Sequence, residues 1–366
     1  MNNFKRSLNN IAILCLLIST GIAFAEEIKT QKTEPAAFTK GTWTAVVIPD
    51  TQHYVSGKFV NTDTTHKILN GMMDWIAAEK DSRNIKMVVH VGDMTNNNNQ
   101  QQWELIRSAY KKLDNVVPYV LCEGNHDRGK NKKTKTIIPT LMNDFFSIDQ
   151  NSKNQDIYRG SFEPGQMQNS YYTFTQNNQK YLVLALEYKT RQAVIKWAGK
   201  IIKDHPDHRV FMTVHNYMDE SSRIQSKDGL PVPNKGPIRN FVMNHPNIEF
   251  VVCGHHAAII PTKDLPPESV KSQRPAHGHG GEYKLHKDIA TGHRTDRREN
   301  GLSVHQILFN AQWIPNGGDG WMLLLEFQPD NKTVRAKTFS SHLNLWRTGP
   351  EYDYTLMRTE DKKTGT

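Results

Sequence analysis

The chain has 366 residues, 37% of them hydrophobic and 23% charged. Fourteen Phe, twelve Tyr and seven Trp supply apolar mass for a sizeable core and exclude disorder throughout. A mean hydropathy of −0.64, with one long apolar run at the start, excludes a multi-pass membrane protein; the net charge of +9 comes without a basic stripe interleaved with aromatics, so no nucleic-acid partner is expected.

Residues 1–25 read as a cleavable export signal. Lys5 and Arg6 give the positive start, Ile11 to Ile18 an apolar stretch too short to span a bilayer, and Ala23-Phe24-Ala25 a small-residue cleavage site. The mature chain would begin at Glu26 with two cations fewer, act in the periplasm or outside the cell, and have no membrane attachment. Cys122 and Cys253 would remain. Each ends an apolar run and reads as a buried thiol, with one disulfide as the alternative in an oxidising compartment.

Residues 26–41 are polar and aperiodic, a linker. Thr42 to Ile48 is a strand stopped by Pro49, Thr64 to Lys80 a helix, and Ile85 to Val91 a buried strand. Gln100 to Asp114 is a second helix and Val116 to Cys122 a third strand. This β-α-β-α-β run implies parallel strands with right-handed crossovers. Ser170 to Thr175 and Lys180 to Glu187 form a hairpin. Gln192 to Lys203 is a helix, and Arg209 to Val214 and Ile248 to Cys253 are strands. Trp321 to Gln328 and Thr333 to Phe339 form another hairpin. Residues 128–137 and 262–300 read as long polar loops, and 346–366 as a polar tail.

Five strand ends carry metal-type ligands. They are Asp50-Thr51-Gln52-His53, Gly92-Asp93, Gly124-Asn125-His126-Asp127, His215-Asn216 and Gly254-His255-His256. Ligands in open parallel sheets bind beyond the carboxyl ends of strands, where short loops bring such groups together. Carboxylate, imidazole and amide oxygen suit Zn, Fe or Mn rather than Ca.

In this order and spacing the chain resembles the calcineurin-like metallophosphoesterases, whose pattern is D-x-H, G-D, G-N-H-D/E, a lone H and G-H-x-H. The likeness covers residues 42–345 as one domain. Pro49-Asp50-Thr51-Gln52, Val304-His305-Gln306, Asn310-Ala311-Gln312 and Gly320-Trp321 are similar to a secreted bacterial branch. The resemblance implies an α/β fold, a four-layer αββα sandwich of two mixed β-sheets. It implies two divalent ions, one held by Asp93, Asn125, His215 and His255, the other sharing Asp93 and taking Asp50. A hydroxide activated between them would attack the phosphorus of a small phosphorylated substrate, a mono- or diester. His126 would protonate the leaving oxygen, with Asp127 orienting it or ordering its loop.

The chain departs from the pattern twice, at Gln52 and at Ala257, where the family has histidines for the same ion. That ion should bind more weakly or prefer oxygen-rich coordination, such as Mn or Mg, with Gln52 offering a carbonyl. His53 and His256 are alternative ligands one residue out of register. Asn216, Arg294, His305 and Gln312 are candidate substrate contacts. Asn96 to Asn99 reads as a solvated loop, and His277, His279, His286 and His293 as surface histidines. The rival reading is a non-catalytic module that binds phosphate or a phosphosugar. Oligomeric state is not legible.

Overall fold

Strand Trp43–Ile48 is buried on both faces, and its alternation shows what lies on each side. Trp43, Ala45 and Val47 join an inter-sheet core, whereas Val46 and Ile48 join a second core with Ile68, Met72 and Ile76 of helix Thr62–Glu79 and Trp103 and Ile106 of helix Gln100–Tyr110. Strand Gln179–Leu186 behaves likewise. Its Tyr181, Val183 and Ala185 face the inter-sheet core, and Leu182, Leu184 and Leu186 pack with Val194, Ala198 and Ile202 of helix Gln192–Asp204. Three cores between four layers make the αββα sandwich that the family resemblance implied. The computed structural model describes residues 30–130, 137–218, 237–261, 283–285 and 288–359.

Both sheets are mixed. In the first, Trp43–Ile48, Ile85–His90 and Tyr119–Leu121 run parallel, and Trp321–Phe327 and Thr333–Ser340 continue antiparallel. In the second, Gln179–Leu186, Arg209–Val214, Ile248–Cys253 and Ser303–Asn310 are parallel neighbours. The carboxyl ends of these parallel strands share one rim. Asn61 and Asn99 cap the two helices over the first sheet by accepting from Thr64 N and Gln102 N. Among the described residues no helix is long and apolar enough to cross a membrane.

The structure changes three expectations. The stretch expected as one loop over 262–300 holds an edge strand, Ala290–Arg297, antiparallel to Ser303–Asn310. Its outer half alternates between exposed and half-buried residues, and charged residues there blunt an open edge. The polar ends are docked rather than loose: Thr30–Gln31 pairs with Leu345–Arg347, and Asp353–Met357 pairs with Thr333–Ser340. Glu34 bonds both Arg83 (2.9 Å) and the wholly buried Lys337 (2.6 Å), and Lys337 also meets Glu326 at 2.7 Å. Cys122 and Cys253 are buried thiols rather than a disulfide, and the Sγ of Cys122 lies 3.3 Å from the Leu186 carbonyl. Residues 1–25, read above as an export signal, and His277, His279 and His286 lie outside the described residues.

Candidate metal centre

The loops after the strands approach so closely that side chains are excluded from them. A Cβ on Gly124 would run into the amide and carboxylate of Asp93, and one on Gly254 into Oδ1 of Asp50. Asp93 and His255 themselves have positive φ, 55° and 69°, a costly backbone for a non-glycine residue and one often kept where function needs it. Thr51 N and Gln52 N donate to the Asp93 carbonyl at 3.1 and 2.9 Å. His90, buried beneath, completes this frame. Its Nδ1 accepts from Gly92 N at 3.0 Å, so Nε2–H donates to the Thr51 hydroxyl, also 3.0 Å away. Burial holds the His90 imidazole down to about 3, and it stays neutral.

One half of the centre is built around His215. Its Nδ1 lies 2.9 Å from the Val91 carbonyl, which can only accept, so Nε2 is the ligand nitrogen. Around Nε2 lie Asn125 Oδ1 at 3.1 Å, His255 Nδ1 at 3.2 Å and Asp93 Oδ2 at 3.3 Å. The ligand atoms of Asp93, His215 and His255 all lie within 4.8 Å of one another. Lone pairs turned on one point are reconciled by a cation between them or by a proton on Nε2, and the donor set fits a divalent ion. The charges respond accordingly. Burial pulls His215 down, but Asp93 and Asp50 outweigh it and raise the imidazole to about 9. Burial pushes Asp93 up, but the charge and hydrogen bond of His215 hold it at about 2. His255 is lowered by burial and by His215 and His256.

The other half is built of amides. Asp50 Oδ2 accepts from Asn310 Nδ2 and Gln312 Nε2, each at 3.0 Å, and from His255 N at 3.2 Å. Because Gln312 turns its Nε2 to this carboxylate, its Oε1 faces Gln52, which must donate Nε2–H to it. Gln52 Oε1 is thereby left buried and without a partner, the state expected of an oxygen reserved for an ion. Burial, with Asp93 adding to it, pushes the Asp50 carboxyl well up.

His126 stands beside both halves. Its backbone N donates to Asp93 Oδ1 at 2.8 Å. Its Nδ1 lies 2.9 Å from the Asn96 carbonyl, so Nε2 is the ring nitrogen left for another partner. The asparagine run is therefore an ordered support rather than a solvated loop. Asn98 Oδ1 accepts from Trp103 Nε1 and Leu141 N, and Gln102 Oε1 accepts from Asn96 N and Asn97 N, all four at 2.9 Å. The Asp127 oxygens are occupied by Met94 N, Thr95 N, the Thr95 hydroxyl and Gly124 N. Burial and the Asp93 charge raise this carboxyl to about 6 against those donors. Arg128 grips Glu123 through two bonds of 2.6 Å and reaches Glu187 at 3.4 Å, tying this loop to the second sheet.

The other sequence candidates divide. Gln312 lies in the centre, on Asp50 and Gln52 rather than at a substrate rim. Asn216 lies next to the centre, with Oδ1 3.1 Å from His256 Nε2; His53 Nε2 faces Lys58 at 3.2 Å. Arg294 and His305 are not brought to the centre. Arg294 bonds both oxygens of Asp296, at 2.8 and 2.9 Å, and His305 sits three register positions back from the Leu308–Cys253 pair, between the Thr295 hydroxyl and the Met357 carbonyl. Tyr188, which the sequence did not single out, has its ring 5.9 Å from both His215 and His255.

Residues 45–258 match the family model of the calcineurin-like phosphoesterases. The chain belongs to that family. Its members are hydrolases acting on phosphoester bonds, and metal binding accords with the cluster of Asp93, His215 and His255. An uncharacterized protein of Bacillus subtilis (strain 168), YvnB, is 26% identical over 307 residues, 83% of this chain; the chain spans 20% of that protein's length. Among solved structures, a purple acid phosphatase from yellow lupin (Lupinus luteus) seeds has 13% identity and a TM-score of 0.48, over 88% of this chain and 55% of the other. A dimetal phosphatase from Danio rerio has 12% identity and a TM-score of 0.47, over 87% and 99%.

Proposed function

We propose that this phosphoesterase is exported and hydrolyses small phosphate mono- or diesters with two divalent ions of unequal hold. The observation that carries the reading is the convergence of Asp93, Asn125, His215 and His255, with His126 beside them. Asp93, Asn125, His215 and His255 would hold the tighter ion, Mn, Fe or Zn. Asp50, Gln52 and a shared Asp93 would hold the weaker one, whose oxygen donors suit Mn or Mg. Such ions, when bound, acidify water and draw charge from phosphoryl oxygens.

The chain's own residues supply the rest. A water oxygen bonds to phosphorus in line with the departing group, the ester P–O bond breaks, and the attacking water gives up a proton to solvent. The leaving oxygen takes the proton from Nε2 of His126, whose ring is aimed by the Asn96 carbonyl on its other nitrogen. Asp127 is a positioning residue here, because its oxygens are used to fasten the Asp93 and His126 loops together. The export signal at 1–25 supports action in the periplasm or outside the cell.

One observation favours a second reading. Asp50 is satisfied by two amides without any ion, as a degenerate site in a phosphate- or phosphosugar-binding module would be. The test is hydrolysis of a chromogenic monoester and its diester by the chain from Glu26, metal-stripped and then resupplied with Mn, Zn, Fe or Mg. Metal-restored turnover lost in His126→Ala is the expected result. Folded protein that binds phosphate and turns over neither ester with any metal would transfer the case to the binding module.

A further inference from the structure

Beside the amide half of the centre lies a group of rings that the three cores do not use. Phe59 and Trp313 are half-buried and belong to none of the three clusters. Trp313 follows Gln312 in the chain and His53 follows Gln52, so the group is set one residue from the two amides that face each other in the centre. The His53 ring joins them, meeting Phe59 and Trp313 edge-on with centroids 5.4 Å from each. Phe59 and Trp313 stand at 83° with centroids 6.4 Å apart, an edge-to-face pair with no parallel slot between them. A ligand ring can therefore stack on one face only. The exposed Lys58 lies over Trp313, its Nζ 3.6 Å from the ring centroid and 3.2 Å from His53 Nε2. Gln52, the residue before His53, donates its backbone N–H to the Asp93 carbonyl, and His126 N donates to Asp93 Oδ1, so the group borders the part of the centre where His126 stands.

We propose that Trp313, flanked by Phe59 and Lys58, is the leaving-group subsite, and that it stacks the flat base of a nucleoside 5′-monophosphate whose phosphate lies at the metal centre. This rests on the phosphoesterase reading and narrows it. An indole takes a flat, polarised ring well. The ring nitrogens and carbonyls of a base give the Lys58 ammonium an acceptor in exchange for the indole face it covers. An alkyl phosphate offers neither.

The test compares adenosine 5′-monophosphate with ribose 5-phosphate, which lose the same leaving oxygen and differ only by the base. The metal-loaded full chain should prefer the nucleotide in kcat/KM by roughly tenfold or more, the scale of one base–aromatic stack. Trp313→Ala should bring that ratio close to one, through KM for the nucleotide, and Trp313→Phe should restore most of it. A ratio near one in the wild type, or one unmoved by Trp313→Ala, would overturn the subsite. Calorimetric binding of adenosine, which has no phosphate, reads the ledge independently of hydrolysis. Saturable binding that weakens about tenfold in Trp313→Ala supports the subsite even if neither ester is turned over, in which case the phosphoesterase reading alone fails. No adenosine binding at millimolar concentration sinks the ledge itself.

Discussion

The two halves of the centre occupy one rim and hang from the same kind of strand end, yet they are made differently. Around His215 the side chains offer lone pairs to one another, and only a cation or an added proton reconciles them. Around Asp50 the side chains bring their own protons, and the carboxylate is satisfied by Asn310 and Gln312. On the proposed reading, the Asp50 half is a metal site weakened without being dismantled. Asn310 and Gln312 hold the Asp50 carboxylate in place from outside, and Gln52, standing where the resemblance has an imidazole, keeps Oε1 as an oxygen for an ion.

The sharpest way to break this contrast is Asp93→Ala, which removes the carboxylate common to both halves. Metal analysis should find both ions lost and turnover at background; retention of one ion at full occupancy would refute a shared Asp93. His126→Ala comes next, with kcat expected to fall about 10²–10⁴-fold at unchanged metal content. The loss should be larger for esters with poor leaving groups, and equal losses across leaving groups would remove His126 from proton transfer. Gln312→Ala takes away the group that orients both Gln52 and Asp50. It should weaken the second ion by roughly 10–100-fold, the usual effect of an outer partner, and leave the tighter ion in place. Excess Mn should restore turnover, and equal loss of both ions would show that the halves are not separate.

The smallest effect lies away from the centre. Burial holds His305 down to about 4 against an ordinary 6.5, so the folded chain binds fewer protons than the unfolded one as pH drops. Its contribution is present above pH 6.5 and is lost as pH falls from there toward 4. That amounts to something on the order of 2 kcal/mol between pH 7 and 5. Denaturation of His305→Gln should show a correspondingly flatter acid limb, and identical pH slopes in the two proteins would contradict the neutral buried state.

Much of this was legible because period and punctuation agreed. Strands such as Trp43–Ile48 and Arg209–Val214 are apolar runs ending in a ligand residue, so strand position and chemistry were read from the same stretch. Ala290–Arg297 was not, because an edge strand carrying His293, Arg294, Asp296 and Arg297 has the composition of a loop. Asn310 and Gln312 were hidden for another reason. Their role depends on a carboxylate 260 and 262 residues away, and an amide in sequence does not say whether it will meet substrate, ion or ligand. His90 reads as part of a buried strand, and only its two ring bonds reveal that it ties the Asp50 and Asp93 loops together.

The docked amino-terminal segment bears on how long the protein lasts. Lys337 is wholly buried and shares Glu34 with Arg83, so a peptidase trimming past Glu34 would leave Lys337 with Glu326 as its one carboxylate, shared with an Arg83 that keeps only the longer contact to Glu79 besides. Breaking a buried ion pair costs about 3–5 kcal/mol, a large part of a typical domain's 5–15 kcal/mol. A chain trimmed to Thr39 should therefore melt well below one beginning at Glu26, and equal melting temperatures would rule this out. In a protease-rich compartment, such a seam would make amino-terminal trimming a timer, with turnover of the whole fold beginning at its first docked residues.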